Sequence, residues 1–511
     1  SGEHGDGRAR TQWNRRLYGD SLWETFRGLK AAYDPDWLLN PGQVCGYEPD
    51  ESLPDDAPER ARRVSMTENL RYDPDYEFDA GFDPALEWAN DNGFEGMAEL
   101  CHGCAGCRGD QATTGGVMCP TYRASGEEIQ STRGRANLLR QAMSGDLSAD
   151  EQFDDEFMHE VLDLCIGCKG CANDCPSEVD MAKLKAEMTH EYHQREGASL
   201  RDKLFANVDT LSKVGSAFAP VSNWATKIPG ARSLLESAVG ITSEATLPSF
   251  ERETLHDWFE ARGGSQVAPA DAERTAVFFV DTYTNYSHPD PGKAAVRVLE
   301  AAGVRVELAD HTDSGRPAHS KGFLDVSRDT ARENVAELAP KVEAGRDVVL
   351  VEPSDAVMLQ SDYLDLLSGP AVERVARNTY GVMEYLDSFR LDERLAFDAP
   401  SESLAYHGHC HQKSVKKDHH AVGVLRRAGY AVDPLDSGCC GMAGSFGYEA
   451  EHRSMSDAIG EILFEQVAAS DGQRVVAPGA SCRTQLGDRD DDAERPPTPI
   501  EQVERAVRTT R

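Results

Sequence analysis

Eight cysteines in two runs constrain this chain more than any other feature. Cys165-x2-Cys168-x2-Cys171-x3-Cys175-Pro176 puts three thiols on one tight loop and a fourth just beyond it. Cys101-x2-Cys104-x2-Cys107 repeats the triplet, and Cys119-Pro120 follows after eleven residues instead of three, across a Gly-rich insertion. Three thiolates on one loop suit a single iron–sulfur cubane, whereas structural zinc usually takes two C-x2-C pairs set well apart. Soft thiolate ligands hold clusters that move one electron at a time, so the expected work of this segment is conduction.

The paired run is similar to that of two-cluster ferredoxins, in which the fourth Cys of each motif serves the other cluster. The resemblance implies one [4Fe–4S] cluster on Cys101, Cys104, Cys107 and Cys175, and a second on Cys119, Cys165, Cys168 and Cys171. Lys169 and Arg108 flank these loops. Their charge could raise a cluster potential, although exposed bases commonly only solvate a surface.

The 511 residues allow three or so domains. The formal charge of −35, from 88 Asp+Glu against 53 Lys+Arg, disfavours nucleic acid as a partner. The basic residues are 13 Lys and 40 Arg, a skew that fits adaptation to high salt, where self-repulsion is screened. No apolar run approaches the ~20 residues of a transmembrane segment; Thr275–Val280 is typical of the longest. Thirteen Cys, eight of them in tight spacings, suit metal ligation in a reducing compartment, so the cytoplasm is expected, with at most peripheral contact at the inner face of the membrane. The opening Ser1-Gly2-Glu3-His4 carries no readable leader, and the sequence reads as the remainder of something longer.

The fold class expected is multidomain α+β: a helical ferredoxin-like domain followed by a duplicated α/β domain. Residues 1–45 form a terminal piece with an amphipathic helix over 12–33, and 46–92, crowded with Asp, Glu and Pro, reads as an acidic linker. The two-cluster domain takes 93–195 and a helical connector 196–265. Two α/β modules follow, 266–395 and 396–511, because Ala295-Val-Arg-Val-Leu-Glu-Ala-Ala-Gly303 aligns with Ala421-Val-Gly-Val-Leu-Arg-Arg-Ala-Gly429. Strands are expected at Thr275–Val280, Arg305–Leu308 and Asp347–Val351, and again at Leu404–Tyr406, Ala431–Pro434 and Arg474–Ala477.

The second copy carries His409-Cys410-His411, Cys439-Cys440-Gly441 and Ser481-Cys482 at strand ends, where the four thiols could converge. This pattern resembles the cysteine-rich CCG domain of heterodisulfide reductase subunits and of the iron–sulfur subunits of glycolate, lactate and anaerobic glycerol-3-phosphate dehydrogenases. That family's pattern usually ends in C-x2-C, whereas position 479 is Gly, so a third cluster on Cys410, Cys439, Cys440 and Cys482 and a set of buried structural thiols both stay open. His407, His409 and His411 could ligate or shuttle protons. The first copy, with Asp313-Ser314-Gly315 and Asp355 at the equivalent places, has no thiol and is read as a structural partner.

Ser1-Gly-Glu-His-Gly-Asp-Gly7 and Asp34-Pro-Asp-Trp-Leu-Leu-Asn-Pro-Gly42 resemble the end of FAD-linked oxidases of the vanillyl-alcohol-oxidase type. The resemblance implies that Glu3 helps hold a divalent metal and that His4 takes a proton from the substrate hydroxyl. With Ser131-Thr-Arg-Gly-Arg-Ala-Asn137 between the Cys motifs, the order of parts resembles the fused FAD-binding and iron–sulfur-binding oxidoreductases, which oxidise D-2-hydroxy acids such as D-lactate. It implies FAD held mostly by an upstream domain or subunit, and a quinone or soluble electron acceptor. Two other readings are carried: a heterodisulfide-reductase-like protein acting through the CCG cysteines, and a free-standing ferredoxin-like carrier.

Overall fold

The computed structural model describes residues 7, 10–63, 78–109, 117–144, 153–226, 228, 230–489 and 494–508. They form two compact units, Ser1–Phe78 and Asp79–Arg511. In the first unit the expected single helix is two, Thr11–Tyr18 and Asp20–Tyr33, because Gly19 at φ 78° breaks it. Trp23 packs with Trp37, Cys45 and Ala61, while Trp13, Leu17, Leu22 and Leu29 are exposed. Arg27 lies over the Tyr47 ring and pairs with Glu51 at 2.6 Å.

The expected acidic linker divides. Residues 46–63 fold back onto the first unit through a Tyr47–Arg62 bridge, and the Arg62 guanidinium satisfies the carbonyls of Glu48, Pro49 and Glu51. Residues 79–92 belong to the second unit: the Glu187 carboxylate accepts from Ala85 N (2.5 Å) and Leu86 N (2.9 Å), and Leu86 enters a core with Val277 and Leu338. Charge-rich segments are ordered here because each exposed main-chain group finds a charged side chain.

The cluster-motif region is helical, with Gly93–Glu99, Pro120–Ser125, Thr132–Met143, Gly170–Asp174 and Met181–Glu196. The connector is helical too, as expected, from Leu200–Ala206 to Leu255–Ala261.

The first α/β module has parallel strands β1 (Arg274–Phe278), β2 (Val304–Leu308), β3 (Asp347–Leu350) and β4 (Thr379–Gly381) in the order β2-β1-β3-β4. The second has β5 (Ser403–Tyr406), β6 (Ala431–Pro434) and β7 (Arg474–Val476) in the order β6-β5-β7, also parallel. Among the described residues strand β4 has no counterpart in the second sheet. One hydrophobic core runs through both modules, with Phe278, Val304 and Val349 joined to Leu404, Tyr406 and Val476. Helices are exchanged across it: Pro499–Ala506 packs on Pro289–Ala301, and Val382–Ser388 on His419–Arg427. Each fully buried Val, Leu or Phe contributes about 1.5–3 kcal/mol, so this shared core fixes the two sheets against each other.

Candidate metal centres

Both Cys loops adopt one backbone shape. Positive φ recurs at the same places, Gly103 and Ala105 in one loop and Gly167 and Lys169 in the other. Such alternation turns main-chain N–H groups inward, which suits an anionic cluster. Amide donors already face sulfur: Arg133 N to Cys107 Sγ at 3.4 Å and Met181 N to Cys171 Sγ at 3.3 Å.

Cys119 reaches the downstream loop despite the long insertion. The Asp174 carboxylate accepts from both Val117 N and Met118 N at 2.9 Å, pinning the segment before Cys119 against the second motif. Gly170 permits this approach, since a Cβ there would lie 2.6 Å from Val117 Cγ1. A small cavity is consequently lined by Cys119, Cys165, Cys168 and Cys171 together. At the other end, a hydrogen bond between His102 and Ser177 lays the 101–104 loop beside the Cys175 turn. Lys185 Nζ donates to the carbonyls of Asp163 (2.9 Å) and Cys165 (2.6 Å), and burial lowers its pKa. Lys169, named from the sequence as a flanking base, is paired with Asp362.

In the second module His409 is the N-cap of a short helix, Cys410–Ser414, that follows β5. The Cys439-Cys440 turn needs Gly441, at φ +95°, where a Cβ would lie 2.2 Å from Ser456 O. The four thiols meet in a row: Cys439 is hydrogen-bonded to Cys410 and Cys440, and Cys440 to Cys482. Contacts from Cys439, Cys482 and His407 hold the Cys440 thiol well below the usual thiol range. His407 Nδ1 is bonded to Ser437 Oγ at 2.5 Å, and the imidazole lies against the Cys440 thiol. The ligand atoms of His407, Cys440 and Cys482 all lie within 4.8 Å of one another. A buried imidazole beside two thiols fits a soft metal or a cluster.

Cys168 packs in the same buried group as Cys410 and Cys439, and His411 Nε2 lies 3.1 Å from Gly167 O. The downstream motif therefore abuts the thiols of the second α/β module. A cavity of about 290 Å³ opens beside them, roofed by connector residues including Phe205, Val208, Leu211 and Phe250. Its opposite wall comes from the thiol-free module, with Tyr283, Arg316, Glu352 and Asp355. The sequence repeat gave Asp355 only as an equivalent position, and Tyr283 and Glu352 carry no motif that would have marked them. Glu3 and His4, with the divalent metal assigned to them, lie outside the described residues.

Three family descriptions match the chain: FAD linked oxidases, C-terminal domain, over residues 1–44; 4Fe-4S dicluster domain over 97–179; and Cysteine-rich domain over 404–487. In this order the three matches make the chain similar to the fused FAD-binding and iron–sulfur-binding oxidoreductases. Among curated relatives, D-2-hydroxyglutarate dehydrogenase of Escherichia coli (strain K12) is 27% identical across 95% of the chain and 49% of the relative. A component of the anaerobic glycerol-3-phosphate dehydrogenase of the same strain is 29% identical over 61% of the chain and 78% of the relative. The glycolate oxidase iron-sulfur subunit of that strain is 25% identical over 72% and 87%. The chain spans about half the length of the D-2-hydroxyglutarate dehydrogenases it matches. Among the described residues no helix is long and apolar enough to cross a membrane.

Proposed function

We propose that this chain is the electron-transfer portion of a flavin-dependent D-2-hydroxyacid dehydrogenase, delivering electrons to an acceptor at the Cys410–Cys482 site. One observation carries the reading: the second cluster motif, through Cys168, is packed directly against Cys410 and Cys439. Cys101, Cys104, Cys107 and Cys175 would hold one [4Fe–4S] cluster, and Cys119, Cys165, Cys168 and Cys171 the other. When bound, the clusters supply one-electron conduction and FAD the conversion from hydride to single electrons.

The chain's own residues do the rest. Asp174 keeps Cys119 within reach of the second loop, and the amides of Arg133 and Met181, donating to Cys107 and Cys171, stabilise thiolate charge. Glu3 would help hold a divalent metal, and His4 would take the hydroxyl proton of the substrate. Exposed Trp13, Leu17, Leu22 and Leu29 offer the FAD-binding partner an apolar surface. The acceptor we assign to the cavity is a quinone rather than a soluble carrier, because its lining is mainly apolar. The sequence reading makes the substrate D-lactate-like, and a relative named for D-2-hydroxyglutarate makes that diacid the first alternative.

Iron and acid-labile sulfide assayed on anaerobically purified chain test the cluster assignment. About eight of each per chain is expected for two cubanes, and about twelve if Cys410, Cys439, Cys440 and Cys482 hold a third; zinc without sulfide would sink the scheme. With the FAD-binding part present, D-lactate and D-2-hydroxyglutarate should differ in how fast they reduce the clusters, read from cluster absorbance.

A further inference from the structure

We propose that the thiol-free α/β module is the proton-donating wall of the cavity, with Glu352 and Asp355 supplying the two protons that a quinone takes up as electrons reach it from the cysteine-bearing wall. This inference rests on the electron-transfer reading above and assigns a role that the repeat alone does not.

Three observations carry it. First, Glu352 and Asp355 line the same cavity as Cys410 and Cys439 but from the opposite module, so an occupant would touch both walls. Second, both carboxyls are almost buried, at 6% and 5% exposure, and neither has an ion-pair partner among the described residues. Arg316 and Arg495 also face the cavity, but their guanidinium groups lie against His411 (3.3 Å) and His288 respectively. Third, a further buried carboxyl stands beside them. Asp281 accepts from Tyr283 N (3.0 Å), Thr284 N (2.9 Å) and Thr284 Oγ1 (2.5 Å), and burial raises its pKa against those donors.

Three buried carboxyls close together disfavour a shared negative charge, so protons are retained among them, and Glu352 and Asp355 are the two that line the cavity. Burial and the nearby Asp281 push Glu352 up to about 7 and Asp355 well above the usual carboxylate range. Glu352 Oε2 accepts from Ala480 N at 2.9 Å and Oε1 from Ser354 Oγ at 3.0 Å, while Ser314 is bonded to Asp355, so both groups are held in place. A carboxyl that titrates near neutrality can give up its proton and regain it within one turnover.

The step balances as follows. The quinone gains two electrons, one at a time, from the reduced clusters of this chain, which are oxidised. It gains one proton from each carboxyl, and its two C=O groups become C–OH. Glu352 and Asp355 are left as carboxylates and recover their protons from water.

The test uses the full chain, cluster-loaded and reduced anaerobically with dithionite. Reoxidation is followed by cluster absorbance after mixing with menadione, a quinone, or with ferricyanide, which takes electrons without protons. Glu352→Gln and Asp355→Asn should each slow the menadione reaction tenfold or more and leave the ferricyanide reaction at the wild-type rate, with Glu352→Asp recovering part of the loss. Equal menadione rates in wild type and variants would overturn the inference, and so would equal slowing with both acceptors, which marks a structural role. Failure of the acceptor reading looks different: wild type itself would react with ferricyanide and not with menadione, and the inference falls with it. A readout free of turnover is the infrared band of a protonated carboxyl at neutral pH, expected in wild type and diminished in Glu352→Gln; its absence from wild type also overturns the proposal.

Discussion

Lys185 is a cation with main-chain partners, the carbonyls of Asp163 and Cys165, where the loop that carries Cys165, Cys168 and Cys171 begins. The Asp163 carboxylate, bonded to His452 at 2.8 Å, offsets only part of its charge. A positive charge so close to a cluster favours the reduced, more negative state. Lys185→Gln should therefore lower the potential of that cluster, by up to the ~59 mV that equals a tenfold change in a one-electron equilibrium. Redox titration followed by EPR checks this, with the cluster of the 101–107 loop as the internal control. Nothing in the sequence distinguished Lys185 from its neighbours on the helix Met181–Glu196; only the fold brings its ammonium to the Cys165 carbonyl.

At the scale of elements, a helix start is tied to the segment before the second cluster loop. His452, the N-cap of Arg453–Ala469, donates from Nε2 to Asp163 Oδ2 (2.8 Å) and faces Glu449 at 3.4 Å. Burial works against its charge, but the two carboxylates win and raise its pKa to about 8. A folded-state pKa above the unfolded ~6.5 stabilises the fold at low pH, and the stabilisation is lost as pH rises through 8. Stability should fall by on the order of 2 kcal/mol between pH 6 and pH 9 through this group. Chemical unfolding of wild type and His452→Gln across that range checks it, the variant being flatter. The sequence made the strands legible, because β1, β2, β3, β5, β6 and β7 coincide with short apolar runs bounded by turn residues. It did not make β4 legible: Thr379–Gly381 is too short to show a pattern. Nor did it resolve residues 46–63 and 79–92 of the acidic segment, where composition argues for a linker and pairing with Arg62 and Glu187 decides otherwise.

For the whole molecule, a formal charge of −35 means that folding works against self-repulsion. Salt shortens the Debye length from about 10 Å at 0.1 M to about 3 Å at 1 M. The thermal midpoint should rise over that interval in chloride salts, and a falling or level midpoint would count against high-salt adaptation. By itself the sequence determined the number and kind of thiol loops, the duplicated α/β pattern and the order of parts, because each is written in local spacing that any fold must respect. Only the tertiary structure decided which loops meet. Asp174 draws Cys119 across an eleven-residue gap, Cys168 lands against Cys410, and the thiol-free copy turns Glu352 and Asp355 toward the thiols. These are contacts between residues far apart in the chain, fixed by a core that both modules share, and no local spacing encodes them.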